Sequence, residues 1–481
     1  MKSFSVIAAL GFLALLAGCA VGPDYHQPQV STPAQWATPL AGGETNGALP
    51  DAAWWKKFND PELDSLMERA VKTNLDLKIA TARVREARAQ LEVTSAEFWP
   101  SANATGSYST VALSRNQPVF ASLPLPPGIP FANNVEEAGF DASWELDVFG
   151  GTRRAVEAAK ANIAASEFGE RDVLVSLQGE VARNYIEARG FQRRLDIARS
   201  NIVAQQDVLD LTRNRYQAGL SGDLDVQQAA ALLASTQSQV PPLETGFAAS
   251  AHRLGVLLAL PPGALRDELS AQSPIPAAPP EVPAGLPSDL LLRRPDIRRA
   301  ERDLAAANAL IGVATADLYP KFSLTGDFGL ESVSTSDWFA AGSRYWNFGP
   351  TVQWRIFDAG RIRANIRVQN ARQEQALAAY EQTVLGAMED VENALTAYAK
   401  EQTRRESLKT AVDAGQQALN ISRDLYDKGL ADFLQVLDAQ RSLFASQDAL
   451  AQSDRDVSLN LVAIYKALGG GWQAANQQAM K

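Results

Sequence analysis

Cysteine is almost absent from this 481-residue chain, Cys19 being the only one. A single thiol makes no internal disulfide and cannot supply the paired ligands of a structural zinc site. Histidine is nearly as scarce: His26 and His252 are the only two, too few and too distant for a metal site. No Walker A pattern, no G-x-S-x-G and no H-E-x-x-H occurs, and no nucleophile–base set replaces them, so neither an enzyme nor a bound cofactor is expected. Basic residues are outnumbered, 45 Lys and Arg against 55 Asp and Glu; the net charge of −10 argues against a nucleic-acid partner. After residue 18 there is no apolar run of about 18 or more residues, so no helix is expected to span a bilayer. Any membrane crossing falls to strands. Proline is missing from Gly151 to Gly219 and again from Gly360 to Leu430, which leaves two very long stretches free to be helical.

What is present is a duplication. Tyr216-Gln-Ala-Gly219-Leu220, followed by Leu224-x-Val226, returns 210 residues later as Tyr426-Asp-Lys-Gly429-Leu430 and Leu434-x-Val436. Trp144/Trp354, Val181/Val391 and Leu258/Leu468 keep that displacement. Nearer the start of each copy it is 220, as in Asp76/Asp296, Ala80/Ala300, Ala87/Ala307 and Phe98-Trp99-Pro100 against Leu318-Tyr319-Pro320. One loop between Pro100 and Trp144 is therefore longer in the first copy. A repeat this long points to one structural unit used twice around a pseudosymmetric assembly.

Four segments alternate with period two. In Lys321–Leu330, Phe322, Leu324, Gly326, Phe328 and Leu330 oppose Lys321, Ser323, Thr325 and Asp327. Tyr345–Phe357 sets Trp346, Phe348, Pro350, Val352, Trp354 and Ile356 against Asn347, Thr351, Gln353 and Arg355. In the first copy Ala138–Val148 and, more weakly, Ala102–Ser109 do the same. Each fits a tilted membrane strand of about 9–11 residues with one lipid face and one wet face. Two amphipathic hairpins on a soluble core would also read this way. Single-chain barrels start at about eight strands and lipid tolerates no open edge, so four strands per chain require several chains. Three would supply twelve.

The proline-free stretches carry a heptad. Leu174, Leu177, Val181, Asn184, Ala188, Phe191, Leu195, Ala198, Ile202, Gln205, Leu209, Thr212 and Tyr216 are spaced 3-4 throughout, and Val384 to Tyr426 keeps the phase. Such a repeat wants coiled-coil partners; a helix over 151–219 would be about 100 Å long. Gly219 and Gly429 then break the helix and the chain returns. The organisation predicted is a first repeat, 61–273 (helix, hairpin about 101–149, long helix 151–219, return helix 224–260), and a proline-rich linker, 274–287. A second repeat follows, 288–472 (helix, hairpin about 321–358, long helix 360–429, return helix 434–468), with a tail, 473–481. Pro241-Pro242 should kink the first return helix only. The fold class expected is mainly α with a small β part: a trimeric twelve-strand β-barrel continuous with a twelve-helix α-barrel. A solid bundle satisfies the periodicity equally; the hairpin between the helices favours the tube.

The first 18 residues read as an export signal: Lys2, an apolar run Phe4–Ala17, then Leu16-Ala17-Gly18-Cys19 in the form of a bacterial lipobox. Cys19 would become the lipidated N-terminus of a lipidated collar segment, 19–60. Ala20, rather than an aspartate, favours the outer membrane over inner-membrane retention.

Cys19-Ala-Val-Gly-Pro-Asp24-Tyr25, Trp54-Trp55-x-x-Phe58-x-Asp60-Pro61-x-Leu63, Asn74-x-Asp76-Leu77, Leu292-Arg293-Arg294-Pro295-Asp296-Ile297 and Tyr465-Lys466-Ala467-Leu468-Gly-Gly-Gly471-Trp472 resemble the TolC-like outer-membrane efflux family, in its lipoprotein branch serving resistance-nodulation-division pumps. The resemblance covers essentially the whole mature chain. It implies a homotrimeric exit duct for small molecules, resident in outer-membrane lipid and partnered by a periplasmic adaptor and an inner-membrane pump. It also implies adaptor contact at the tips Gly219-Leu220 and Gly429-Leu430. A periplasmic gate would include Tyr426, Leu434, Asp438 and Arg441, with Asp225 as a first-copy partner. Read from spacing alone, Leu434, Asp438 and Arg441 share one helix face, and the two charges could equally be a solvated pair. Only the second copy has them; Gln228 and Ala231 stand at the equivalent places. Trp54-Trp55 suits packing rather than ligand binding. A duct for type I protein secretion, or a coiled-coil envelope lipoprotein without a pore, are the rival readings.

Overall fold

A computed structural model describes residues 20–39, 44–45, 53–112, 114, 132–277, 282–283 and 285–472. The signal segment, Cys19 and the tail 473–481 lie outside the described residues, as does most of the loop joining the first two strands. The chain is mainly helical. Its principal elements are α1 (Pro61–Thr73), α2 (Leu75–Ala96), β1 (Ser101–Ala112), β2 (Ala132–Leu146), α3 (Gly151–Gln217), α4 (Asp223–Ser238) and α5 (Val240–Leu257) in the first copy. The second has α6 (Pro295–Ala316), β3 (Lys321–Ser332), β4 (Arg344–Gln353), α7 (Arg361–Asp427) and α8 (Phe433–Ala467). Helices α3 and α7 each run 67 residues and begin and end 210 positions apart, so the duplication in sequence is a duplication in structure. The described residues fall into two compact units, one within the ranges 1–28, 85–164 and 301–378, the other within 29–84, 165–300 and 379–481.

The first unit holds the four strands, antiparallel in the order β1-β2-β3-β4. Their register sorts side chains by chemistry. One face carries the cross-strand rows Ala104–Phe140–Phe328–Trp346, Gly326–Phe348, Trp144–Leu324–Pro350 and Leu146–Phe322–Val352. The other carries Asn103–Asp141–Asp327–Asn347, Glu137–Glu331 and Ser143–Thr325. The polar face is tied laterally: Asn103 donates to Asp141 at 2.9 Å, Asn347 to Asp327 at 3.2 Å and Tyr345 Oη to Glu137 at 3.0 Å. On the opposite face Phe140, Trp346 and Phe348 are each about two-thirds exposed in the single chain. β1 and β4 are the outer strands, each paired on one side only.

The alternation in Tyr345–Phe357 suggested a strand to Phe357; it stops at Gln353, whose partner is Lys321. Beyond Lys321 the partner strand offers Pro320, which has no N–H to give, so pairing ends although the alternation continues. All four strand–helix junctions lie at this end of the sheet. Two are fastened identically, Trp144 Nε1 donating to the Phe98 carbonyl at 2.8 Å and Trp354 Nε1 to that of Leu318 at 3.1 Å. Residues 20–25 are pinned here too. Val21 N–H bonds to the Phe149 carbonyl at 3.0 Å, and the buried Arg154 donates to the Val21 carbonyl and pairs with Asp24 at 2.7 Å. That guanidinium holds the Asp24 carboxyl below its ordinary range. Gly22 has φ +94°, and a Cβ there would meet Gly312 Cα at 2.4 Å, so no larger residue fits.

The second unit is built on coiled-coil packing. Val181, Tyr185, Val384, Val391, Leu395 and Tyr398 from the long helices meet Leu254, Leu461, Ile464 and Tyr465 from the return helices in one core. Trp54 closes it, 1% exposed, its ring stacked on Tyr465 at 5.1 Å, as core rather than as a ligand platform. A Trp54–Phe58 3-10 turn leads to Asp60, which caps α1 by accepting from Glu62 N and Leu63 N and also accepts from Tyr185 Oη at 2.8 Å.

The helix expected ahead of each hairpin is broken, at Asn74 (ψ 135°) in the first copy and at Arg294 (ψ 121°) in the second. Arg294 precedes Pro295, whose ring excludes the helical conformation there, and Asn74 Oδ1 accepts from Leu77 N at 2.9 Å as the N-cap of α2, so both breaks have a local cause. Each residue caps the return helix of its own copy: Asn74 Nδ2 donates to the Leu257 carbonyl at 2.9 Å, and Arg294 Nη1 to that of Ala467 at 3.0 Å. Those carbonyls have no partner within their helix, and a cation there also suits the helix dipole. The two return helices differ as the prolines suggested. α4 and α5 are interrupted at Gln239, with Pro241 and Pro242 in the first turn of α5, where a missing N–H costs nothing; α8 is unbroken over 35 residues. α5 stops at Leu257, before Pro261, through Ala259 at φ +57°.

Candidate functional site: the helix tips

Both long helices end identically. Gly219 (φ +73°) and Gly429 (φ +72°) take the left-handed conformation, and the next residue reaches back five: Leu220 N to the Arg215 carbonyl and Leu430 N to that of Leu425, both at 2.8 Å. Gly219 N to Tyr216 and Gly429 N to Tyr426 complete two Schellman motifs. No atom lies within 4 Å of where a Cβ would sit on either glycine, so the requirement is conformational, not steric. The reversal brings α4 back along α3 and α8 along α7. The two hairpins share one core: Val208, Leu209 and Val226 from the first copy with Leu419, Tyr426, Phe433 and Leu437 from the second.

Four leucines stay outside that core. Leu220, Leu224, Leu430 and Leu434 are 69%, 68%, 72% and 54% exposed, an apolar concentration on an otherwise polar end. Farther along α8, Asp438 and Arg441 lie exposed on the face that carries Leu434, separated by 3.6 Å. At that distance and exposure the ion pair is worth little; both charges face solvent in the single chain.

Tyr426 lies elsewhere. The family resemblance grouped it with those three, but its ring is 6% exposed inside the hairpin core, 5.3 Å from Phe433. Over its face sits the Arg215 guanidinium, 4.5 Å from the ring centroid, which also donates to the Tyr426 carbonyl at 3.4 Å. Burial raises the Tyr426 hydroxyl above its usual range; Arg215 pulls against that shift and the half-buried Asp225 adds to it. The candidate residues thus separate into a buried group (Tyr426, with Asp225 near it) and an exposed one (Leu434, Asp438, Arg441). Arg215 had no sequence signal of its own. It sits one residue before Tyr216 in an exposed register, and only the packing of one copy against the other brings it to Tyr426.

Among the described residues no cluster of acidic, histidine or cysteine side chains is disposed to hold a metal ion, and no helix is long and apolar enough to cross a membrane. The chain matches the family described as outer membrane efflux protein twice, over residues 66–259 and 286–470. It is 34% identical over 484 residues to the solvent efflux pump outer membrane protein SrpC of Pseudomonas putida, covering 98% of this chain and 99% of that one. To the cation efflux system protein CusC of Escherichia coli O6:H1 it is 34% identical over 471 residues, covering 95% and 97%. Among solved structures, the outer-membrane channel OprN superposes with a TM-score of 0.86 at 37% identity, covering 95% of this chain and all of that one. With both copies matched and relatives aligned over nearly their full lengths, the chain belongs to the outer membrane efflux protein family and is an exit duct of an efflux system.

Proposed function

We propose that three copies of this chain close into a passive outer-membrane duct. It is gated at the helix tips and driven by a periplasmic adaptor and a resistance-nodulation-division pump in the inner membrane. The observation that carries the reading is the sheet: four strands, one aromatic face, one hydrogen-bonded polar face and two open edges. An open edge in hydrocarbon leaves backbone groups unpaired at several kcal/mol each, so β1 of one copy must pair with β4 of the next. Three copies give twelve strands, with the aromatic rows toward lipid and the Asn103–Asp141–Asp327–Asn347 row toward water. The test is to purify the mature protein in mild detergent. A heat-sensitive species of three chains that gives stepwise conductance in planar bilayers is expected; a monomer, or a trimer without conductance, refutes the duct and leaves the envelope tether.

The four exposed leucines at the helix tips supply an apolar surface for an adaptor, and the buried Tyr426–Arg215 contact supplies a latch between the two hairpins of one chain. Asp438 and Arg441 belong to the gate on this reading. Three Asp438 carboxylates, contributed only by the second copies, would form a threefold ring that draws cations. Asp438→Ala should lower the cation preference of single channels, and unchanged selectivity eliminates the ring. Cys19 is read as the lipidated N-terminus, supported by the pinning of residues 20–25 at the end of the sheet where strands give way to helices. Relatives named for solvent and for cation efflux share this architecture at equal identity, which supports leaving substrate choice to the pump.

A further inference from the structure

The apolar face of the sheet has a groove at its junction end. Its volume is about 470 Å³, and Phe98, Trp144, Leu146, Phe322, Leu324 and Pro350 line it. This is the size of a small-ligand pocket. Glu145, Asp147, Ser323 and Thr351 also border it, but Asp147 is engaged by Arg153 and the other three alternate to the opposite face of the sheet, so the walls offer little to orient a polar molecule. The one cation at its rim, Arg153, is already held by the Asp147 carboxylate and by the carbonyls of Asp147 and Val148. What fits is a hydrocarbon chain without a head group to bind.

The first described residue points to the source of that chain. Ala20 lies against Gly150: a Cβ built on Gly150 would be 2.7 Å from Ala20 Cα and 3.4 Å from Arg153 Nη2. Val21, Gly22 and Asp24 are fixed beside it through Phe149 and Arg154. Ala20 thus lies beside Arg153, which borders the groove, and one residue of backbone spans about 3.3–3.6 Å. We infer that an acyl chain carried by Cys19 occupies this groove, held among Trp144, Leu146, Phe322 and Leu324 on the outer face of the duct. The inference rests on the reading of Cys19 as lipidated. Free phospholipid competes for the same walls, but a chain tethered next to them has a high effective concentration, and its anchoring backbone is already ordered. Seated there, the lipid would fasten the N-terminal segment to the sheet as well as to the membrane.

A photoreactive fatty acid bearing a diazirine, fed to expressing cells, enters both phospholipid and the lipoprotein modification. After irradiation of the assembled duct, peptide mass spectrometry separates the sources. A product joining the Cys19 peptide to peptides containing Trp144–Leu146 or Phe322–Leu324 is expected, its yield falling severalfold in Leu324→Gln at equal trimer recovery. Cys19 products spread along the aromatic face out to Phe140 and Trp346, or groove peptides carrying phospholipid alone, overturn the inference while leaving lipidation intact. An N-terminal peptide without acyl mass overturns the lipidation reading and the inference with it.

Discussion

Tyr426 shows how little a residue's identity says without its neighbours. It is repeated at Tyr216, yet Tyr216 is about half exposed while Tyr426 is buried beneath a guanidinium. A partly desolvated cation–π contact is worth about 0.5–2 kcal/mol, and Arg215 adds a bond to the Tyr426 backbone. If this contact latches the closed tips, Arg215→Ala should raise the open-to-closed ratio of single channels by about 2- to 30-fold. Arg215→Lys, which keeps charge but loses the planar stacking face, should fall between. Equal dwell times in all three proteins would show that the contact only packs the hairpin. The capping pair Asn74 and Arg294 makes a different prediction, on stability alone. Arg294→Ala removes the bond to the Ala467 carbonyl and strands Asp296, its partner at 2.7 Å, in a half-buried site. Losing a charged hydrogen bond with its partner left behind costs about 1.5–3 kcal/mol, which denaturant unfolding should register with no change in conductance of the folded duct.

At the scale of elements, the tips and the N-terminal strap respond to different variables. Gly219→Ala or Gly429→Ala meets no atom, so its cost is the left-handed backbone alone, about 1–2 kcal/mol confined to the hairpin end. The expected signature is faster amide exchange over Tyr216–Leu220 or Tyr426–Leu430, with the core around Tyr185 and Tyr465 unchanged. The strap answers to acid. Glu392 on α7 accepts from Ala37 N at 2.6 Å, Thr38 N at 2.9 Å and Thr38 Oγ1 at 2.5 Å. Burial works against its charge, but these three bonds outweigh it and hold the carboxyl below its ordinary value of 4.5. A depressed folded pKa means stability present above the unfolded value and lost as pH falls through the folded one. Protection factors of the Ala37 and Thr38 amides should therefore drop as the pH falls below the ordinary glutamate range, and Glu392→Gln should show the low protection at every pH. Elements of this kind were unequally legible. Period-two alternation and proline-free heptads locate the strands and the 67-residue helices because both follow from local sequence. The breaks at Asn74 and Arg294 have local signals, an asparagine N-cap and the residue before a proline, but the end of β4 at Gln353 and the Arg215 contact each depend on a partner distant in sequence, and no local pattern encodes that.

At the scale of the whole molecule, the two faces of the sheet must meet different solvents, and that sets a test the rival readings fail differently. Phe328 and Asp327 are neighbours on β3, midway along the sheet and on opposite faces: Phe328 in the row Ala104–Phe140–Phe328–Trp346, Asp327 in the row Asn103–Asp141–Asp327–Asn347. In a membrane barrel a lysine on the lipid face at mid-depth costs about 2–4 kcal/mol. The substitution occurs once per chain at well-separated places, so the cost in a trimer is roughly tripled. Phe328→Lys should therefore nearly abolish heat-modifiable trimer in outer-membrane fractions. Asp327→Lys sits in water, loses only the 3.2 Å bond from Asn347, and should assemble normally while shifting ion selectivity toward anions. If the sheet instead stood in the periplasm with both faces wet, Phe328, half exposed in the single chain, would tolerate lysine as readily as Asp327 does. Equal recovery of the two variants would thus remove the membrane barrel and the duct that depends on it, whereas a loss confined to Phe328→Lys together with altered selectivity in Asp327→Lys assigns one face to lipid and the other to the pore.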